Sequence, residues 1–446
     1  MASATHVLLF YKYVDLGDEV EAHAAWLETL CGELQLTGRA LIAPEGINSN
    51  LAGDCASVDA FIAAMEARGG GDLFGGIDWK REQIAADAQK PFPDLAVKRV
   101  EEIISTVSPR GKIPASLLAA GLGGVHLSPE DFHAELDCYL AAPEGSEAQR
   151  NTVLIDVRNR KEFNLGHFKG AVDPDTKNFT QFAPRYVDPR LDELRGKKIL
   201  MYCTGGIRCE KASAYLRSQG CDDVSQLSGG IQRYLERYGT GGHFKGNNFV
   251  FDARGQQRLP GAAVVGRCVG CGAGEDRQSG DRVCAVCRDA VLVCDGCRRA
   301  LRGVYFCRDH SYLADGAYEP FLARFAADEL RGQLARLQAL MAAGGAVAGK
   351  ANKNRRRAVL KQARRVEVRV AAVEGGEAVD GDAPVRCRSC GRPSRFFLEA
   401  GAGGAGMPKV EELCDGRCWG FFQEERRQEG YVDLDSAVVA AAEGEQ

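Results

Sequence analysis

Short apolar runs alternate with amphipathic stretches through the first hundred residues. Val7-Leu-Leu-Phe-Tyr-Lys-Tyr13 and residues 38–43 have the length and composition of strands, while 18–34 and 56–68 repeat their apolar positions at helical spacing. Pro44-Glu-Gly-Ile-Asn48 predicts a turn between them, and Gly69-Gly-Gly71 predicts another, followed by a strand pair. Strands and helices mixed in this order predict a small α+β sandwich. From about residue 128 the pattern changes. Ser128-Pro-Glu-Asp-Phe-His133 opens a helix, because the serine hydroxyl can accept a free N–H of the first turn and an acid follows close behind. Apolar strands at 152–157, 198–202 and 224–227 then alternate with helices, as a parallel sheet requires.

Pro109-Arg-Gly-Lys-Ile-Pro114 and Gly121-Leu-Gly-Gly124 break both patterns and read as linker. The expected organisation is an α+β domain over 1–108, a linker over 109–127 and a parallel-sheet domain over 128–245. A cysteine-rich region over 246–320, a helical, basic linker over 321–382 and a second cysteine-rich segment with a tail over 383–446 complete it. Glycine- and alanine-rich pieces at 344–349, 374–382 and 400–406 read as flexible.

With 446 residues and 45% hydrophobic content the chain can build several cores. A net charge of −4 gives no global attraction to nucleic acid. The run 350–369 differs, with nine Lys/Arg against one acid; it reads either as a footprint for RNA phosphates or as a solvated basic helix or linker. The 17 cysteines cluster toward the C-terminal half in Cys-x-x-Cys pairs, a metal-ligand pattern suited to a reducing compartment. No stretch of about twenty apolar residues could span a membrane and no signal-peptide pattern opens the chain, so a cytoplasmic protein without membrane partners is expected.

One cysteine stands apart. Lys197-Lys-Ile-Leu-Met-Tyr202 reads as a buried strand and Glu210-Lys-Ala-Ser-Ala-Tyr-Leu-Arg217 as the start of a helix, so Cys203 falls at a strand end where free backbone N–H groups converge. Those donors, the helix dipole and the nearby Arg208 favour S⁻ over SH, and Gly205 and Gly206 let the amides turn inward beside Thr204 and Ile207. A small buried hydrophobe is the bland alternative. Cys209 could resolve an oxidised Cys203 as a disulfide, or simply pack at the helix start. Lys211 reads as surface charge, and Glu45 and Asn48 as turn residues that could also line a cleft. Asp156 and Arg158 read as an internal ion pair fixing the loop.

Val153-Leu-Ile-Asp-Val-Arg-Asn159, Glu162, Gly166-His-Phe-Lys-Gly-Ala171, Tyr202-Cys-Thr-Gly-Gly-Ile-Arg-Cys-Glu-Lys-Ala-Ser213 and Leu227-Ser-Gly-Gly-Ile231 together resemble the rhodanese superfamily, whose members carry a cysteine persulfide on such a loop. The phosphate-cradling loop of related dual-specificity phosphatases is one residue longer between its Cys and Arg; the shorter cradle from Cys203 to Arg208 suits a terminal sulfur. Phe10-Tyr-Lys-Tyr13, Gly38-Arg-Ala-Leu-Ile-Ala-Pro-Glu-Gly-Ile-Asn-Ser-Asn-Leu-Ala-Gly53, Phe92-Pro-Asp-Leu-Ala-Val-Lys-Arg-Val100 and Phe244-Lys-Gly-Asn-Asn-Phe-Val-Phe-Asp-Ala-Arg254 extend the likeness to the rhodanese-related tRNA uridine(34) hydroxylase family over about 10–320. The longer tail beyond resembles eukaryotic rhodanese-like proteins. The resemblance implies an acylphosphatase-like (ferredoxin-like) N-terminal sandwich and a central rhodanese-like α/β domain. It also implies oxygen-dependent hydroxylation of the tRNA wobble uridine to 5-hydroxyuridine, with Cys203 as the essential thiol. A sulfurtransferase fed by thiosulfate or a persulfide donor would use the same thiolate, and a zinc-containing adaptor with an idle rhodanese-like fold is a third possibility. An idle domain has no need of the nucleophile.

Cys268, Cys271, Cys284, Cys287, Cys294, Cys297, Cys307 and His310 supply eight soft ligands within 43 residues, which fits two tetrahedral structural zinc ions. Sequential pairs or interleaved pairs are equally compatible with the spacing. Cys387, Cys390, Cys414 and Cys418 fit a third such site. No glycine fingerprint for a dinucleotide is present, so no nucleotide cofactor is expected and the electrons are expected from an external reductant. Oligomeric state stays open.

Overall fold

The computed structural model describes residues 4–85, 90–108, 111–301, 303–314, 318–343, 350–380, 387 and 392. It divides into two compact units, residues 1–266 and 267–446.

The first unit begins with the expected sandwich. Strands β1 (Thr5–Tyr13), β2 (Thr37–Ala43), β3 (Gly46–Gly53), β4 (Lys80–Ile84) and β5 (Leu95–Arg99) form one sheet in the order β4-β1-β3-β2-β5. Helices Val20–Glu33 and Cys55–Ala67 supply Leu27, Phe61 and Met65 to a core with Leu8, Phe10, Ile42 and Leu51. Two expectations are corrected. The turn expected over 44–48 shrinks to Pro44 and Glu45, and Gly46–Gly53 is the central strand. Its glycines and asparagines disguised a register in which Ile47 and Leu51 are buried. Gly46 is needed there, because a Cβ would lie 2.0 Å from the Lys12 carbonyl oxygen. The expected strand pair after the glycine turn is split, β4 joining β1 and β5 joining β2 at opposite edges.

The second sheet of this unit contains β6 (Val125–Leu127), β7 (Thr152–Asp156), β9 (Lys198–Tyr202) and β10 (Val224–Leu227), all parallel, in the order β6-β10-β9-β7. Two small antiparallel pairs accompany it, β8 (Gly166–Phe168) with the sequence-distant β11 (Phe244–Gly246) and the hairpin of β12 (Asn248–Phe249) with β13 (Gln256–Gln257). The linker expected over 109–127 therefore stops before Val125. Gly124 allows this edge strand to enter, since a Cβ there would meet that of Ser213 at 2.8 Å. Alternation along β9 feeds two cores. Ile199, Met201 and Cys203 face helix Ile207–Ser218, whereas Leu200 and Tyr202 face Phe132 and Leu136 of helix Pro129–Ala141 together with Tyr234 of helix Gly230–Tyr238. Ser128 caps helix Pro129–Ala141 by accepting from the Asp131 N–H, as its position in the sequence predicts.

In the second unit a cysteine-bearing segment precedes two helices, Ala327–Ala343 and Lys350–Glu374. The basic run is thus helical, and it is not a linker. Val359, Ala363 and Val366 follow each other at helical spacing and are buried in one core with Leu330 and Leu337. Of the piece 374–382, expected to be flexible, residues 374–380 are described, and they are tied back by Arg369 donating to the Ala378 carbonyl (2.9 Å) and by the Asp380 N–H donating to the Ala323 carbonyl (3.0 Å). The pieces 344–349 and 400–406 lie outside the described residues. No helix among the described residues is long and apolar enough to cross a membrane.

Candidate active site at Cys203 and the cysteine clusters

Cys203 directly follows β9 and has no exposed surface. The chain then turns through Thr204, Gly205 and Gly206 into helix Ile207–Ser218. Gly206 adopts φ 104°, and its N–H donates to the Cys203 Sγ at 3.1 Å. A second helix approaches from behind, the Ile231 and Gln232 N–H groups donating to the Cys203 and Thr204 carbonyls at 2.9 and 3.1 Å. Gly230 makes room for that contact, because a Cβ would meet the Cys203 oxygen at 2.6 Å.

Burial by itself would raise the Cys203 thiol. It is outweighed by the Cys209 thiol donating to the sulfur, the Arg208 charge and the Arg208 and Cys209 backbone N–H groups, which bring the thiol from 9.0 to about 5. Cys209 moves the opposite way, pushed well up by burial and by its hydrogen bond to the charged neighbour. Cys203 is therefore a thiolate near neutral pH and Cys209 a thiol. Arg208 does not point freely into the loop. It makes two parallel hydrogen bonds with Glu162 (Nη1–Oε2 2.7 Å, Nη2–Oε1 2.8 Å) and touches the Thr204 hydroxyl at 3.2 Å. Burial would raise Glu162, but the Arg208 charge and hydrogen bonds hold it near 2. Sequence reasoning gave Glu162 no role, although its place three residues after Asn159 was a capping-box signal; its carboxylate accepts the Asn159 N–H at 3.1 Å. Asp156 and Arg158 form the expected internal pair, fully buried at 2.6 Å.

The N-terminal sheet covers the loop. A Cβ on Gly205 would lie 3.0 Å from Leu9 Cδ2 and 3.9 Å from Lys80 Cδ, and one on Gly206 would lie 2.7 Å from the Tyr11 hydroxyl. Tyr11 donates to Glu210 at 2.9 Å, and the buried Lys80 pairs with Asp78 at 2.7 Å. Lys211, expected at the surface, has no exposure; it bridges Glu102 (2.6 Å) and Glu45 (2.9 Å) across the two sheets' domains. Helix periodicity records only that a face is polar, and nothing in it reveals that a second domain covers that face with carboxylates. Glu45 thereby does more than shape a turn, and Asn48 donates to the Ile103 carbonyl at 3.0 Å.

In the second unit the cysteine pairs interleave. Cys268, Cys271, Cys294 and Cys297 form one group, and Cys284, Cys287, Cys307 and His310 another, each with its ligand atoms within 4.8 Å of one another. Separations of 3.6 Å (Cys271–Cys294), 3.7 Å (Cys287–Cys307) and 3.6 Å (Cys284 Sγ–His310 Nδ1) approximate the edges of a tetrahedron with ~2.3 Å metal–sulfur bonds. Backbone N–H groups of Gly270 and Cys294 also donate to the Cys268 sulfur, at 3.4 and 3.3 Å. Both groups fit a tetrahedral ion. Cys387 is buried near the Gly280 carbonyl (3.6 Å), while Cys390, Cys414 and Cys418 lie outside the described residues. A further group, His133, Asp137 and His243, fits an ion poorly. Its imidazoles stack 4.5 Å apart with planes 29° from parallel, so their in-plane lone pairs run side by side and do not converge.

Three family models match in succession: a UPF0176 acylphosphatase-like domain over 5–103, a rhodanese-like domain over 140–237 and a rhodanese C-terminal domain over 245–310. Rhodanese-like domain-containing protein 6 of Arabidopsis thaliana is 36% identical over 317 residues, covering 68% of this chain and 52% of that protein, so the chain spans about half of that relative's length. The tRNA uridine(34) hydroxylase of Corynebacterium jeikeium is 34% identical over 66% of this chain and 89% of its own. That of Synechococcus elongatus is 40% identical over 55% of this chain and 82% of its own. By its domain order and by these relatives, the chain belongs to the tRNA uridine(34) hydroxylase family of rhodanese-related proteins.

Proposed function

We propose that this protein hydroxylates the wobble uridine of tRNA to 5-hydroxyuridine, with Cys203 as the essential thiol. The observation that carries the reading is a buried cysteine held as a thiolate, its thiol near 5, on a loop whose amides face the sulfur. The relatives named for this reaction support it, one of them matched over 89% of its length. Cys203 works through a persulfide or another oxidised sulfur state. Thr204, Gly205, Gly206 and Ile207 shape the cradle, Arg208 holds its charge beside the sulfur with Glu162 as its anchor, and Cys209 donates to the thiolate. Oxygen and an external reductant complete the reaction. The two described cysteine groups hold structural zinc in this reading, since neither presents an open position beside a general base. The protein works in the cytoplasm.

The test is mass spectrometry of wobble-position nucleosides in cells lacking the protein, complemented with the natural chain or with Cys203→Ser. Loss of 5-hydroxyuridine-derived nucleosides, restored only by the natural chain, is expected. Loss of a thiolated base would assign sulfur transfer to the same thiolate. Unchanged nucleosides would leave the fold as an adaptor.

A further inference from the structure

We infer that Phe251 is a stacking platform for a nucleobase of single-stranded RNA delivered to the Cys203 loop; this rests on the function proposed above and names how that substrate is held. The hairpin of β12 and β13 carries the ring at its tip and is fastened on every side. The Gly255 N–H donates to the Asp252 carbonyl (2.9 Å), Arg254 closes on Asp252 (2.6 Å), and a second guanidinium nitrogen of Arg254 reaches Glu82 of the N-terminal sheet (3.0 Å). The Ala253 N–H donates to the Pro91 carbonyl at 2.9 Å. Phe249, Val250 and Asp252 are buried, yet Phe251 between them is 37% exposed.

A lone exposed apolar side chain needs no account. This one is held in place by charge-assisted bonds, and it sits beside the reactive loop. The Arg208 guanidinium lies 5.6 Å from its ring centroid, and Arg208 itself binds Thr204 of the loop. Phe249 meets Phe251 edge-on at 5.0 Å and 69°, and the Lys161 ammonium lies 5.7 Å from the Phe249 centroid. Of this fixed aromatic pair Phe251 alone is exposed, its ring backed by the Arg208 guanidinium that Glu162 already pairs. Such a ring favours a flat π-system stacked on it, and among nucleic acids stacking is available only to bases free of a duplex.

The competing explanation is that Phe251 only shields the Arg208–Glu162 pair from water. Aromatic and aliphatic replacements separate the two. In the full-length protein, Phe251→Leu should raise KM for tRNA about tenfold, within the range that base–aromatic stacking contributes, with a much smaller change in kcat. Phe251→Tyr should restore KM, and the pH midpoint for alkylation of Cys203 should be the same in both. Added indole emission in Phe251→Trp, relative to the natural chain, should be quenched by a uridine-containing single strand and not by a duplex of the same sequence. An unchanged KM in Phe251→Leu overturns the inference. So does a shift of the Cys203 midpoint equal in the Leu and Tyr variants, which would mark a shield. If the natural chain makes no 5-hydroxyuridine, the proposed function fails, and the emission of Phe251→Trp still decides this inference alone: quenching by single strands supports it and its absence overturns it.

Discussion

Cys209→Ala tests whether the Cys203 thiolate is made by the donors that surround it. The thiol lies about four pH units below its ordinary 9.0, which is worth roughly 5 kcal/mol at ~1.4 kcal/mol per unit, and this is what remains after burial has opposed it. Among the favourable contributions the Cys209 hydrogen bond is the largest, ahead of the Arg208 charge and two backbone N–H groups. A hydrogen bond to a charged group contributes ~1.5–3 kcal/mol, so removing this one should raise the midpoint from about 5 to roughly 6–7. The assay is peptide-resolved mass spectrometry of iodoacetamide labelling at Cys203 across pH. Because the sulfur has no exposed surface, the absolute rate reports opening of the cover made by Leu9, Tyr11 and Lys80, whereas the midpoint reports ionisation. The same shift has a signature in stability. A folded thiol that ionises below the unfolded one contributes stability that is complete above pH ~9, declines by ~1.4 kcal/mol per unit as pH falls, and vanishes below about 5. The Ala variant should flatten that slope at its acid end. A midpoint unchanged in Cys209→Ala would refute the reasoning and assign the thiolate to the backbone amides and Arg208.

Arg208→Ala should destabilise the first unit by ~3–5 kcal/mol in urea denaturation, because it strands the buried Glu162 carboxylate, and the double variant Arg208→Met, Glu162→Leu should recover part of the loss. Metal analysis should find about two zinc ions on the two described cysteine groups, and a chelator should abolish hydrogen-exchange protection over 267–310 while leaving 4–85 and 125–250 protected. Arg356 and Arg357 are exposed on helix Lys350–Glu374, and replacing both with alanine should lower the slope of log K against log salt for tRNA binding by about two, with thiosulfate turnover unaffected; an unchanged slope assigns that face to solvent alone.

What the sequence made legible was whatever local physics decides. The β9 strand, the glycine turn and the helix behind it were readable because each follows from neighbours a few residues away, and so was the Ser128 cap. Gly46–Gly53 was not. A central strand can contain glycine and asparagine when the adjoining chain needs their space, and that need arises from Lys12, far away in sequence. The same holds at the site. Sequence placed Arg208 beside Cys203 but could not supply its partner Glu162, which comes from another helix, nor the carboxylates of Glu45 and Glu102 that take Lys211 out of water. Burying such cations costs several kcal/mol each unless they are paired, so the pairing binds the N-terminal sheet to the reactive helix and makes the cover over Cys203 part of the site. Charge count alone gives Lys211 to solvent. Only the fold shows that the thiolate lies between two domains, one providing the amides that ionise it and the other the side chains that close over it.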